Sequence, residues 1–324
     1  MRIVLCYPAQ QAHVNRIEAV WPDAEIVSAA QEQIAEQLPT ADIYCGHAKV
    51  PVPWENVVDG GRLQWIQSSA AGLDHCLVPC VIDSDIPVTS ASGVLAKQVA
   101  DQTFALLTGV LRSLPVFFQA KEKREFIRRP TKDLYGAKVG IVGLGGNGRV
   151  LARILKQFQT TIYATDWYPD QPCQYVDQLL PADRLDQLLP QVDILILTAP
   201  LNEHTRGMID RRRLRMLHKE AVLINVARGP LVVEQDLADV MNSGHLWGAG
   251  IDVTEVEPLP ADSPLWEIPN LIITPHVGGQ RASRIDDTTN LFCENLRRFR
   301  DGEPLMNLVD KKLGFPQPGE AWSP

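Results

Sequence analysis

The sequence has no Cys-x-x-Cys pair. Its six cysteines, at positions 6, 45, 76, 80, 173 and 293 of 324 residues, are too sparse and irregular for a disulfide scaffold. Reduced thiols and a cytoplasmic location are therefore expected. No apolar run approaches the ~18 residues of a membrane span, and Met1-Arg2 is followed by only four apolar residues before Tyr7-Pro8, so neither a membrane helix nor a secretory leader is expected. Positive charge is in deficit: 31 Lys and Arg stand against 39 Asp and Glu, a net charge of −8. That balance repels phosphate backbones and anionic lipid surfaces, and argues against nucleic acid or membrane as partners. There is no fixed-period repeat, no low-complexity tract and no segment poor in apolar residues and rich in charge, which excludes global disorder. His75, Cys76 and Cys80 lack a fourth ligand and metal-site spacing, so no metal is expected.

What is present is 45% apolar residues over a length that suits about two domains. Short Val- and Ile-rich runs alternate with helix-like stretches, the pattern of parallel strands buried on both faces. The class is α/β. Residues 2–6, 24–27, 42–45, 63–67 and 87–88 read as strands of a first, small doubly wound domain. Residues 138–143, 161–166, 192–198, 221–225, 248–252 and 271–274 read as longer strands of a second. The apolar spacing of residues 94–111 predicts one long helix linking the two, ending near Pro115. Residues 183–189 and 231–243 read as helices, the latter closed by Gly244. A further helix over 281–300 is expected to return to the first domain. The tail, residues 314–324, has no periodicity and is expected to be extended or mobile.

Gly143-Leu-Gly145-Gly146-Asn147-Gly148 follows the apolar run Val139-Gly-Ile-Val142 and precedes a helical stretch at 149–158. At a strand-to-helix turn each of three glycines has its own role. Gly143 permits the tight turn, Gly145 allows close approach to a pyrophosphate, and Gly148 lets the helix pack against the strand. The same fingerprint calls for an acid about 20 residues on, and Asp166 closes the next strand. A carboxylate there accepts from ribose hydroxyls and repels a 2′-phosphate, so the expected cofactor is NAD(H).

Ligands of open α/β sheets bind beyond the carboxyl ends of the strands. Three ionisable residues fall there: Arg228 in Asn225-Val-Ala-Arg-Gly-Pro230, Glu257 in Asp252-Val-Thr-Glu-Val-Glu-Pro258, and His276 in Thr274-Pro-His-Val-Gly-Gly279. A guanidinium grips a carboxylate with two hydrogen bonds and polarises a neighbouring carbonyl. A histidine supplies or removes the proton that accompanies hydride transfer, and an acidic partner fixes its tautomer and favours its protonated form. Taken singly, each has a structural reading: a surface ion pair, a turn, a core histidine. Together they describe a 2-keto acid reductase.

With these motifs, and with Asn225-Val-Ala-Arg-Gly-Pro-Leu-Val, Gly250-Ile-Asp-Val-Thr-Glu-Val-Glu-Pro-Leu-Pro and Leu271-Ile-Ile-Thr-Pro-His-Val-Gly-Gly in order along the chain, the sequence resembles the D-isomer-specific 2-hydroxyacid dehydrogenases, nearest their glyoxylate/hydroxypyruvate reductase and phosphoglycerate dehydrogenase branches. The resemblance implies two doubly wound parallel sheets, with a Rossmann NAD-binding domain (residues 99–285) inserted into a flavodoxin-like substrate domain (residues 1–98 and 286–324). It implies Arg228 as substrate anchor, Glu257 as histidine partner and His276 as acid and base. It further implies Gly146 and Asn147 at the pyrophosphate, Asp166 at the ribose, Ala199, Pro200 and Thr205 on the adenosine side, and Val226, Ala227 and Asp252 near the nicotinamide. Backbone N–H groups of Ala70, Ala71 and Gly72 are implied to hold the substrate carboxylate, with an active site in an inter-domain cleft that closes to exclude water.

The resemblance also implies a homodimer through the NAD-binding domain, with residues 113–136 as the contact, although the charge run at 121–125 reads equally as a solvated helix face. Asn147, Ser90 and Asp101 depart from the family's usual residues and bear on substrate preference more than on reaction type. Two alternatives stand beside the 2-keto or 2-hydroxy acid dehydrogenase. A formate dehydrogenase would carry glutamine where Glu257 stands. An NADH-sensing corepressor would bind the cofactor with negligible turnover, and nothing here resembles its extra segments.

Overall fold

The computed structural model describes residues 1–317. The chain divides into two compact units, one formed by Met1–Leu95 and the segment from Arg281 onward, the other by Ala96–Gln280. Both divisions come a few residues earlier than the expected 98/99 and 285/286. The reason at the first is that the helix Ala96–Leu111 belongs wholly to the second unit, whose core takes Ala100, Leu106, Leu107, Val110 and Leu111.

In the first unit, β1 (Arg2–Cys6), β2 (Glu25–Ser28), β3 (Ile43–Gly46), β4 (Trp65–Ser68) and β5 (Val88–Thr89) form a parallel sheet in the order β2-β1-β3-β4-β5. Strand alternation divides its side chains between two faces. Ile3, Leu5, Ile43 and Trp65 pack with Phe292 and Leu296 of the helix Arg284–Asp301; Val4, Cys6, Tyr44 and Ile66 pack with Ile34, Leu38 and Trp54 on the other side. Trp65 stacks on Phe292 and on Phe299, each at 5.4 Å between ring centroids.

The second unit holds β6 (Lys138–Val142), β7 (Thr161–Asp166), β8 (Gln178–Pro181), β9 (Ile194–Leu197), β10 (Val222–Asn225), β11 (Gly248–Ile251) and β12 (Leu271–Ile273), all parallel, in the order β12-β11-β10-β9-β6-β7-β8. Alternation again explains the burial: Ile194 and Ile196 enter one core, Leu195 and Leu197 the other, so both faces are covered, as a parallel sheet requires. The chain runs from β6 out to β8 and returns to lay β9 against the opposite edge of β6. That reversal is the topological switch point, beyond whose carboxyl end a dinucleotide binds.

Two expectations need correction. The helix read over 94–111 ends at Leu111, and Pro115 does not merely stop it: Ser113 takes a left-handed turn (φ 55°) and a second helix, Leu114–Glu122, begins with that proline in its first turn, where its missing N–H costs nothing. The helix read over 231–243 is Glu234–Asn242, preceded by the single 3₁₀ turn Gly229–Leu231. In the tail, β13 (Val309–Asp310) pairs antiparallel with β14 (Phe315–Pro316); residues 318–324 lie outside the described residues. Among the described residues no single helix is long and apolar enough to cross a membrane.

All six cysteines are free. Burial pushes the thiols of Cys45 and Cys76 well above their usual value and that of Cys293 up to about 11, which keeps them protonated and unreactive. Among the described residues no group of three or more His, Cys, Asp or Glu side chains is placed to hold a metal.

Candidate active site

The glycine turn occupies the switch point. Gly143 has φ +94°, and a Cβ there would lie 2.7 Å from the backbone of Ala199; a Cβ on Gly148 would lie 2.3 Å from the Gly143 carbonyl oxygen. Both positions therefore exclude every other residue. Gly145 differs: a Cβ there meets no protein atom within 4 Å, so packing does not demand glycine, and the open space suits a ligand lying against the backbone. Gly145 is also the N-cap of the helix Gly146–Leu155 and has no side chain to cap it. The first-turn N–H groups, including those of Gly146 and Asn147, have no intrahelical acceptor and present a positive end to an anion. These residues fit a dinucleotide pyrophosphate.

At the end of β7, Asp166 accepts from Leu144 N–H at 2.6 Å through Oδ2 and from Tyr168 N–H at 2.9 Å through Oδ1. Each oxygen keeps acceptor capacity for a ribose hydroxyl, while the two backbone bonds fix the carboxylate beside the glycine turn. Across the switch point, the Thr205 hydroxyl donates to the Pro200 carbonyl at 2.7 Å and accepts from Asn202 N–H at 2.8 Å. Thr205 thus shapes the loop that follows Ala199 and Pro200, and its hydroxyl is already engaged within it. The ring of Trp167, next to Asp166, lies 5.2 Å from that of His204.

Arg228, Glu257 and His276 follow β10, β11 and β12, which are neighbours in the sheet. Glu257 Oε2 lies 2.8 Å from His276 Nδ1, while its Oε1 accepts from Thr254 N–H at 3.3 Å. The imidazole and the carboxylate are 45% and 41% exposed, open enough to exchange protons with solvent. With Nδ1 bonded to the carboxylate, Nε2 is the nitrogen left for a reacting group. Arg228 Nη1 donates to the Ala227 carbonyl at 2.8 Å, and the buried Asn225 braces the same turn, its Nδ2 donating to Arg228 O at 2.9 Å and its Oδ1 accepting from Ala227 N–H at 3.1 Å. Val226 and Ala227 are buried, so the turn is fixed from both sides of the strand end.

Asp252, expected near the nicotinamide, is buried and holds the histidine loop. Its Oδ1 accepts from Thr274 Oγ1 at 2.6 Å and Val277 N–H at 3.0 Å, and its Oδ2 from Gly278 N–H at 2.8 Å. Gln102 adds a 2.8 Å bond to Thr274 Oγ1. His276 itself is in the left-handed region (φ 53°), with its N–H on the Asp252 carbonyl at 2.7 Å. A non-glycine residue in this region is uncommon and costs on the order of 1 kcal/mol, a cost offset by this bonding.

Sequence reasoning missed Asn225, Gln102, Thr274 and Gly229. A Cβ on Gly229 would lie 1.9 Å from both the carbonyl carbon and oxygen of Thr254 and 2.5 Å from Glu255 N. The turn carrying Arg228 and the turn carrying Glu257 are therefore in backbone contact. The Gly-Pro pair after Arg228 was the available signal, but it marks any turn.

In the first unit, the loop after β4 contains the expected carboxylate donors. Ala70 N–H is engaged by Ser68 Oγ at 3.1 Å, and Ala70 O accepts from that hydroxyl at 2.9 Å and from Ala91 N–H at 3.0 Å. Ala70 is thus a fixed corner of the loop and not a free donor, because the serine two residues back closes a local turn on it. The implied donor set narrows to Ala71 and Gly72.

Residues 104–278 match the family model described as D-isomer specific 2-hydroxyacid dehydrogenase, NAD binding domain. A glyoxylate reductase from Korarchaeum cryptofilum is 29% identical over 306 residues, 91% of this chain and 90% of that protein. A D-3-phosphoglycerate dehydrogenase from Methanocaldococcus jannaschii is 26% identical over 98% of this chain, which spans only 62% of its length. The crystal structure of an NADPH-dependent glyoxylate/hydroxypyruvate reductase from Sinorhizobium meliloti superposes with a TM-score of 0.81 at 25% identity, covering 97% of this chain and 99% of that one. The matched segment includes the glycine turn, Asp166 and the strands that carry Arg228, Glu257 and His276, and on that basis the chain belongs to the D-isomer-specific 2-hydroxyacid dehydrogenase family.

Proposed function

We propose that this protein is an NADH-dependent reductase of small 2-keto acids, such as glyoxylate or hydroxypyruvate, forming the D-2-hydroxy acid. The observation that carries the reading is the 2.8 Å contact between Glu257 and His276, which follow β11 and β12, with β11 lying directly beside the strand β10 that precedes Arg228. When bound, the nicotinamide supplies the hydride. Arg228 grips the substrate carboxylate and draws electron density toward the carbonyl oxygen. His276 Nε2 donates a proton to that oxygen as the carbonyl carbon is reduced, and Glu257 offsets the imidazolium charge beforehand. The neutral imidazole then regains its proton from water, which its exposure permits.

The preference for NADH rests on Asp166, whose carboxylate at the ribose would oppose a 2′-phosphate. The NADPH-dependent S. meliloti relative makes this a point to test. The assay is a panel of 2-keto acids with NADH and NADPH: turnover with NADH on glyoxylate or hydroxypyruvate supports the proposal, and no turnover on any 2-keto acid, or a preference for NADPH, overturns the corresponding half.

We further propose a homodimer through the second unit. Phe126 is 94% and Phe118 60% exposed, and Leu114, Ile127 and Tyr135 are exposed beside them in sequence. Arg129 and Lys132 lie over the Trp247 ring at 4.9 and 5.0 Å, anchoring the segment while those apolar side chains remain uncovered. So many large apolar groups in one short stretch suit a second copy of the same surface.

A further inference from the structure

The helix Glu234–Asn242 begins at Val233, an N-cap residue with no side-chain acceptor. Such an end ordinarily needs an oxygen from Ser, Thr, Asp or Asn. Here the oxygen comes from another turn: Glu255 Oε1 accepts from Glu234 N–H at 3.1 Å, and Glu234 Oε1 in return accepts from Glu255 N–H. Two acids thus exchange carboxylate-to-backbone bonds across two turns, in the manner of a capping box built from distant residues. Burial raises the Glu234 carboxyl above its usual value against the lowering effect of the Glu255 N–H bond.

The consequence lies two residues further on. Glu255 opens the turn that ends in Glu257, and the turn closes on itself through Thr254 Oγ1 to Val256 O at 2.8 Å and Thr254 N–H to Glu257 Oε1 at 3.3 Å. The Thr254–Glu255 peptide is therefore held by Glu234 through its N–H and by the backbone of Gly229 through direct contact. From it Glu257 extends Oε2 to His276.

We propose that Glu234 and Glu255 are positioning residues for the proton-transfer pair: their crossed bonds fix the turn from which Glu257 reaches the imidazole. Neither touches the reacting atoms. The proposal rests on the acid–base assignment of His276 and Glu257 above.

The test compares Glu234→Ala, Glu234→Gln and Glu255→Ala with the native protein in the pH profile of kcat/KM for 2-keto acid reduction, with NADH affinity measured by fluorescence titration. Glu234→Ala is expected to lose about ten-fold in kcat, to bind NADH unchanged, and to shift the descending limb of the profile to lower pH, because the imidazolium is less well compensated when Glu257 wanders. Glu234→Gln keeps a carbonyl oxygen for Glu255 N–H and is expected to stay within about two-fold of native with an unshifted limb. Glu255→Ala is expected to repeat the shift, and decides the matter if Glu234→Ala does not fold. An unshifted limb in the alanine variants, or a glutamine variant as impaired as alanine, overturns the proposal. His276→Ala and Glu257→Gln run alongside: if both lose turnover while the alanine variants keep the native profile, only the positioning role fails, whereas native turnover in His276→Ala removes the acid–base reading itself.

Discussion

Replacing Gly229 by alanine perturbs the proposed site without removing any group proposed to react. The new Cβ would stand 1.9 Å from the Thr254 carbonyl carbon and oxygen, where ordinary contact begins at 3.4 Å, so one backbone must retreat by about 1.5 Å. No flexible side-chain end is available to yield, since the obstructing atoms are all backbone. Either retreat disturbs the site: one turn carries Arg228, and the other ends at the residue that holds His276 Nδ1 at 2.8 Å, a bond too short to survive a displacement of that size. A misplacement of about 1 Å can cost about 100-fold in rate, and overpacking of this kind destabilises by about 1–3 kcal/mol. The expectation for Gly229→Ala is a folded protein with a lowered melting temperature, kcat reduced by about 100-fold, and NADH affinity near native, because the glycine turn at 143–148 belongs to other strands. Steady-state kinetics, fluorescence titration and thermal melting read the three quantities. Native kcat in a folded Gly229→Ala protein would refute the reasoning.

Asp166→Ala removes the acceptor of Leu144 and Tyr168 N–H as well as the charge at the ribose; NADH affinity should fall by about ten-fold or more and the NADH:NADPH ratio of kcat/KM should move toward NADPH, which paired assays measure. Phe118→Glu with Phe126→Glu should halve the mass seen by light scattering, and an unchanged mass would place the dimer contact elsewhere. Asp186 bonds Arg212 and Arg213, and these hydrogen bonds, Arg212's first, hold its carboxyl below the usual range. A carboxyl lowered on folding contributes stability above its unfolded value, near 4, that is lost as pH falls through the folded value. Asp186→Asn should therefore lower the melting temperature at neutral pH and flatten its decline below about pH 4; identical acid limbs would contradict this.

Much of the second unit was legible because its signals are local. Strand, glycine turn, helix and acid follow one another within the span from Val139 to Asp166, and the apolar runs of β9, β10 and β12 announce themselves. β8 was missed because Gln178 and Pro181 are exposed and only Leu179 and Leu180 are partly covered, so it has no Val- or Ile-rich core to read. The helix Gln11–Val20 buries only His13 and Ile17, with Val14 and Val20 partly covered, so its apolar stripe is short. In the helix Arg284–Asp301 the apolar spacing is interrupted by buried Asn295, which bonds Gln67 Oε1 at 3.0 Å and Met306 O at 3.1 Å; a satisfied polar residue in a core is invisible to hydropathy. Arg228, Glu257 and His276 could be named from their places after strands. What holds them could not: Gly229 against Thr254, Asp252 on the 276–278 backbone, and Glu255 capping a helix it does not belong to are all contacts between distant segments.

The decisive experiment on the assigned chemistry is NADH oxidation with glyoxylate or hydroxypyruvate across pH, native protein against His276→Ala, with NADH binding followed in the same samples. If Nε2 of that imidazole delivers the proton, the variant binds NADH as the native protein does, loses kcat by about 100-fold or more, and loses the descending limb of the pH profile. Turnover at the native rate, with the limb intact, would mean that another group carries the proton.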